Sequence, residues 1–226
     1  VLYLIFNEGY TATHGDSLMR HELSSEAIRL ARLCDRLMRD EPEASGLLAL
    51  MLLHDARSAS RTDTSGDLVL LADQDRSRWS RSKIDEARER LEVALRKGRP
   101  GPYQVQAAIA AVHCEAESAE DTDWAQIALL YAELEKLAPG PIVTLNRAVA
   151  LSMLAGPNLG PERGLEELEP LHDELSDYHL FHATRADFLR RLERPEEARE
   201  AYERALSLAG TEAERRFLEA RIRALA

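Results

Sequence analysis

Apolar residues recur along most of this chain at the spacing of an amphipathic helix. Leu23, Ala27, Leu30, Ala31, Cys34, Leu37 and Met38 form one stripe at i, i+4, i+7 and i+8 positions, opposite Arg29, Arg32, Asp35 and Arg36. A second helix starts at Pro42, a residue suited to a first turn, and carries Leu47, Leu48, Leu50, Met51, Leu52 and Leu53 on every side. A helix apolar all round belongs in the middle of a core. Ile84, Ala87, Leu91, Ala94 and Leu95 mark another buried face, with Ser82 and Asp85 at capping-box spacing before it and Gly98 closing it. Val105, Ala108, Ile109 and Val112 predict the next helix. Trp124, Ile127, Ala128, Tyr131 and Leu134 predict the one after, with Thr122 or Asp123 as its N-cap.

The pattern is interrupted in three places. Residues 7–15 (NEGYTATHG) hold two glycines and small polar residues and predict a loop after the apolar opening. Residues 58–66 are a turn-forming cluster, followed by a brief extended segment at 68–71. Residues 71–80 (LADQDRSRWS) show neither helix nor strand period, are densely polar and carry one Trp. Long polar connections inside helical domains are uncommon and often functional, which makes this segment the first place to look for a site.

The second half repeats itself. Residues 147–154 (RAVALSML) and 185–192 (RADFLRRL) share an Arg-Ala-x-x-Leu-x-x-Leu frame, and the helices that follow begin at Gly164 and Ala198, 34 positions apart. That is the tetratricopeptide period. Residues 27–42 and 125–139 look like looser copies of the same helix-then-Pro unit, and residues 214–226 like a capping helix. The expected fold is therefore all-α: one domain over 1–226, a solenoid of about five tetratricopeptide-like helical hairpins, with an irregular polar insertion at 58–80.

Composition narrows the function classes. Against 29 Lys and Arg stand 40 Asp and Glu, a formal net charge of -11, so the surface should repel nucleic-acid backbones. Cys34 and Cys114 are too few for a disulfide scaffold and lack metal-ligand spacing, which fits a reducing cytoplasm. The apolar opening at 1–6 is far too short to cross a bilayer, so no membrane role is expected. The chain begins without Met and within a helical pattern, which suggests that an N-terminal part has been cut away.

No phosphate loop, His-Glu-x-x-His or Gly-x-Ser-x-Gly motif is present, so neither catalysis nor a cofactor is expected. His54 with Asp55, and His113 with Cys114 and Glu115, are neighbours along a helix that point about 100° apart and cannot chelate one ion together. His179 and His182 share a helix face, but partly buried histidines at a hairpin interface explain that spacing without a metal. Asp73, Asp75, Arg76, Arg78 and Trp79 admit two readings: a solvated loop whose exposed ion pairs contribute on the order of 0 to 1 kcal/mol each, or a plug folded into the helical stack that addresses a partner. Tyr103, Gln104 and Gln106 begin one helix, and Asn146 and Arg147 lie near the start of another, so stacked hairpins would line them along one polar groove.

Several long motifs in fixed order resemble the C-terminal, tetratricopeptide-like extension of a group of bacterial extracytoplasmic-function (ECF) RNA polymerase sigma factors of the sigma-70 family. They are YLIFNEGY at 3–10, LMLLHDAR at 50–57, LADQDRSRW at 71–79, GPYQVQAAIA at 101–110 and NRAVA at 146–150. The resemblance implies two sigma regions preceding Val1, which would read the -10 and -35 promoter elements and contact core polymerase. It also implies a regulatory extension whose partners are its own sigma regions, RNA polymerase core or a regulatory protein, with promoter DNA reached only through the missing regions. It supplies no catalytic residue. As candidate binding positions the motifs offer Asn7, Glu8, Tyr10, His54, Asp55, Arg57, Asp73, Gln74, Asp75, Arg76, Trp79, Tyr103, Gln106, Asn146 and Arg147, to which the polar groove adds His113. A small-molecule sensor built around Asp73, Arg76, Trp79 and His113 is the rival expectation.

Overall fold

The computed structural model describes residues 1–10, 21–64 and 66–225. Among them all regular structure is helical, apart from an isolated antiparallel bridge between Thr62 and Leu68. The span expected to be one elongated domain divides into two compact units, Val1–Asp123 and Trp124–Ala226.

The first unit contains α1 (Leu2–Tyr10), α2 (His21–Leu37), α3 (Pro42–Ala56), α4 (Arg81–Leu95) and α5 (Pro102–Glu115). Helix α3 is the axis: α1, α2, α4 and α5 all pack on it, and Leu48, Ala49, Leu50, Met51, Leu52 and Leu53 are all buried. Its apolar residues face every direction because neighbours stand in every direction. Pro42 occupies the first turn, and the Glu41 carboxylate accepts from Glu43 N–H.

Helices α3 and α5 approach so closely that a Cβ on Gly46 would lie 2.8 Å from the backbone nitrogen of Gln104. The Glu43 carboxylate then accepts from the N–H groups of Tyr103 (2.9 Å) and Gln104 (3.1 Å), satisfying orphan donors at the positive end of α5. Gln104 is completely buried and donates to Glu43 Oε1 and Arg99 O, so it belongs to this helix contact and lines no groove.

Two further expectations are corrected. The loop placed over 7–15 is helical as far as Tyr10, because Phe6 and Tyr10, four apart, stack at 5.4 Å and bury Gly9 in the same helix. Residues 11–15 lie outside the described residues. The cap of α4 is Ser80 in place of the Ser82/Asp85 box, since Ser80 N–H donates to Ala56 O at 2.9 Å and fixes where the chain enters the helix. Of the predicted face, Ile84, Ala87, Leu91 and Ala94 are buried while Leu95 is exposed, and Gly98 adopts φ +65° after the last turn.

The second unit contains α6 (Trp124–Leu137), α7 (Pro141–Ser152), α8 (Pro161–Leu168), α9 (His179–Arg191), α10 (Pro195–Leu208) and α11 (Glu212–Arg223). Its packing runs mainly between neighbours in sequence: α6 on α7, α7 on α8, α8 on α9, α9 on α10 and α10 on α11. The repeat frame has a physical counterpart in small residues. Ala148 in α7 and Ala186 in α9 are fully buried, as is Ala198 in α10. At the matching place in α8, a Cβ on Gly164 would come within 2.6 Å of the Phe188 ring. Helix α11 starts with a capping box in which Thr211 and Glu214 satisfy each other's backbone donors.

Candidate functional site

Polar and aromatic side chains of the first unit converge where α3 ends. Residues 57–80 are held as short turns of helix at Ser58–Ser60, Leu71–Asp73 and Arg76–Arg78. Trp79 enters the core, 3% exposed, and its indole N–H donates to Ser60 Oγ at 2.8 Å. Ser60 Oγ in turn donates to Arg57 O at 3.0 Å, while Gln74 Nε2 donates to Val69 O. A buried indole with its one donor satisfied is a firm anchor.

Arg76 reaches from this segment to the last turn of α5 and donates to His113 O (2.6 Å) and Ala116 O (2.9 Å). A cation at the carbonyl end of a helix is favourable twice, by hydrogen bonds to unpaired carbonyls and by the helix dipole. The same guanidinium lies 4.6 Å from the Trp79 ring centroid, and Arg57, the C-cap of α3, lies 5.9 Å from it.

Arg57 also approaches His54 Nδ1 at 3.3 Å. A guanidinium only donates, so Nδ1 accepts and His54 is the neutral tautomer carrying its proton on Nε2. Burial holds the His54 pKa down to about 3, and Arg57, Arg61 and His113 push the same way. His113 is lowered to about 4, first by burial and then by Arg57 and Arg76. On the other side of His54 lie Phe6 and Tyr10, with ring centroids at 6.4 and 5.3 Å. Arg61 lies over the Tyr10 ring at 3.8 Å and donates to Tyr10 O.

Among the predicted positions, then, Tyr10, His54, Arg57, Gln74, Arg76, Trp79 and His113 come together. Asp55, itself buried, turns away into a partly buried ion pair with Lys83 at 2.5 Å. Asp73 and Asp75 are exposed; the Asp75 carboxylate accepts from Ser77 N–H and Oγ–H, which hold its pKa low. Neither aspartate pairs with Arg57 or Arg76. Asn7 is exposed on α1 and hydrogen-bonds Tyr3, Glu8 is partly buried beside it, Tyr103 meets Tyr3 edge-on at 5.6 Å, and Gln106 is partly buried on α5. Arg61 and Ser60 were missed from sequence, although His54, Arg57 and Arg61 stand at i, i+3 and i+7.

In the second unit Asn146 is exposed on α7, while Arg147 bridges Glu135 (2.7 Å) and Glu167 (2.5 Å). His179 Nε2 lies 3.4 Å from Glu214 Oε1, and His182 Nε2 lies 2.8 Å from Ser176 O, so the two imidazoles serve different partners. A cavity of about 430 Å³ opens beside α8 and α9, lined by Leu165, Leu168, Phe181 and Leu189 together with Arg185, Arg194, Glu166, Glu169 and His172. None of the candidate binding positions lines it, although Arg185 and Leu189 of the repeat frame do. Among the described residues no group of three or more His, Cys, Asp or Glu is placed to hold a metal ion, and no helix is long and apolar enough to cross a membrane.

A family model described as "Family of unknown function (DUF6596)" matches residues 1–95, which include α1 to α4 and the irregular segment. The chain is 49% identical over its whole length to a Rhizobium meliloti (strain 1021) protein named "Uncharacterized protein R00370". The match covers 52% of that relative, so this chain spans about half its length.

Proposed function

We propose that this chain is a regulatory, protein-interaction region of a longer polypeptide of the ECF sigma-factor type. In this reading it contacts its own sigma regions, RNA polymerase or a regulator, and its second unit is a tetratricopeptide-like solenoid. The observation that carries the reading is the way the second unit uses its repeat. The frame that buries Ala148 and Ala186 also leaves Arg185 and four apolar side chains around an open cavity of about 430 Å³. Apolar lining rimmed by charges of both signs, Arg185 and Arg194 with Glu166 and Glu169, suits a peptide segment or a small ligand better than it suits chemistry on a bound substrate. The ordered motifs shared with ECF extensions give the sigma-factor context, and the acidic balance of -11 argues for a protein partner over direct DNA contact.

The mechanism is a shift of the sigma regions between a promoter-competent and a masked arrangement, driven by contacts that differ between the two states. The test is transcription from a target promoter by the full-length polypeptide, the same polypeptide lacking residues 1–226, and an Arg185→Glu variant. Deletion should change initiation strongly, and Arg185→Glu should reproduce part of the change. Equal transcription from all three would end the reading.

A second reading, a small-molecule sensor, is favoured by one observation in the first unit. Arg57 and Arg76 converge on Trp79 without an ion pair to any carboxylate among the described residues, which leaves charge there for a ligand to neutralise.

A further inference from the structure

Arg57 and Arg76 differ from those arginines of the first unit that are tied to carboxylates, as Arg32 is to Glu86, Arg88 to Glu115 and Arg90 to Asp35. Arg76 spends one nitrogen on the carbonyls of His113 and Ala116, and Arg57 spends one on His54 Nδ1. Among the described residues no carboxylate forms an ion pair with their remaining N–H groups, although both guanidiniums sit against the same buried indole. Guanidiniums held against an aromatic ring keep their planar forks oriented, which lowers the entropy lost when an anion is gripped.

The surroundings add to the positive field. Arg57 acts on His54, Arg61, Arg76 and His113, opposing a further positive charge on each. Glu120 and Asp121 act on Arg76 in the opposite sense but form no salt bridge with it. Both histidines stay neutral at physiological pH, so they add polar ring atoms beside the guanidiniums and no competing charge.

We propose that the Arg57–Arg76–Trp79 cluster, at the junction of α3, the irregular segment and α5, binds a small oxyanion: the phosphate or carboxylate group of a soluble ligand. Arg57 supplies the principal donors through a fork match to two oxygens, Arg76 supplies field and a second cation, and Trp79 is the platform. An anion seated there draws the turn after α3 and the segment carrying Arg76 towards the C-terminus of α5. The proposal rests on the sensor reading above for its biological use, and on the geometry alone for the binding itself.

The experiment uses the whole chain with Trp124→Phe, which leaves Trp79 as the sole tryptophan. Inorganic phosphate and acetate are titrated separately, with chloride at matched ionic strength as reference, and indole emission and melting temperature are followed. The expected result is a saturable change in emission and a rise in melting temperature with at least one oxyanion. Affinity should weaken at least about tenfold in Arg57→Gln and detectably in Arg57→Lys, which keeps the charge but loses the fork. The relative response to phosphate and acetate identifies the class of oxyanion. A non-saturating response equal to chloride, or equal affinity in Arg57→Gln, overturns the site. If Arg57→Gln does not fold by far-ultraviolet circular dichroism, the Arg57→Lys titration decides. Transcription by the full-length polypeptide then separates the two claims. Binding without any effect of Arg57→Lys on initiation upholds the site and ends the sensor reading, whereas absence of binding ends the site and leaves the protein-interaction reading standing.

Discussion

Arg147 and Arg57 show two ways of holding a partly buried guanidinium. In the second unit Arg147 is gripped from both sides by Glu135 and Glu167, and Glu167 is also paired with Arg163. Every charge there has an opposite charge at hand, and the network ties α6, α7 and α8 together. In the first unit Arg57 has a histidine nitrogen, an aromatic face and further arginines for company. The first arrangement is a fastening. The second leaves positive potential unmatched, which structure alone does not require.

The largest effect that would sharpen this contrast is expected at Trp79. Trp79→Ala removes an indole that is 3% exposed, the platform for two cations and the donor to Ser60. A loss of about 3–5 kcal/mol is expected for the first unit, measured by chemical denaturation together with hydrogen exchange of peptides from α3 and α5. Unchanged exchange in those helices would show that the segment is not anchored as described.

Acid should distinguish the two units next. A histidine whose folded pKa lies below its unfolded value takes up its proton first in the unfolded chain, so its contribution is complete above about 6.5 and is lost as pH falls. For His54 (about 3) and His113 (about 4), that loss runs from about pH 6.5 down to about 4 and beyond, with a slope of roughly 1.4 kcal/mol per pH unit per group. Glu214 in the second unit is held down to about 2, first by its contact with His179 and then by Thr211. Its contribution is present above its ordinary value of 4.5 and is lost only as pH falls towards 2. Exchange measured from pH 7 to 4 should therefore show helices α3 and α5 loosening while the start of α11 remains protected. His182, also lowered by burial, adds a smaller loss near α9.

Smaller changes are expected from the arginines themselves. Arg147→Met should cost about 1–3 kcal/mol, because it removes two charge-assisted bonds and leaves Glu135 without that partner. Arg57→Gln should move the melting of the anion-free chain by no more than about 1 kcal/mol in either direction, since the lost contacts are offset by relief of repulsion with Arg61 and Arg76. A melting scan of both variants in the same buffer would invert the comparison if Arg57→Gln proved the more damaging.

Much of the helical skeleton was legible because its signals are local. The all-round apolarity of residues 47–53 announced a central helix, and Pro42 announced its start. The stretch at 7–10 was misread because Gly9 and polar neighbours mimic a loop, while the stacking of Phe6 on Tyr10 and their contact with His54 are tertiary. The cap at Ser80 was missed for the same kind of reason: its backbone partner is Ala56, 24 positions earlier. At the site, Arg76, Trp79 and His113 stood out as polar or aromatic exceptions, but no sequence spacing shows that Arg76 ends on the carbonyls of α5. Asp73 and Asp75 attracted notice as charges beside arginines, and solvent and Ser77 took them instead.

The hydrogen bond from Ser80 N–H to Ala56 O closes the neck of everything between them. Helix α3 hands over to α4 almost as though 57–79 were an excursion, with Trp79 pinned at its base and the Thr62–Leu68 bridge further out. Chain added beyond that bridge would lengthen a loop whose ends are already fixed, and doubling a flexible loop costs only about 0.6 kcal/mol. The outer part of the excursion is thus a permissive place for length to vary, or for a tag or reporter domain to be inserted, while the base keeps its cations in register.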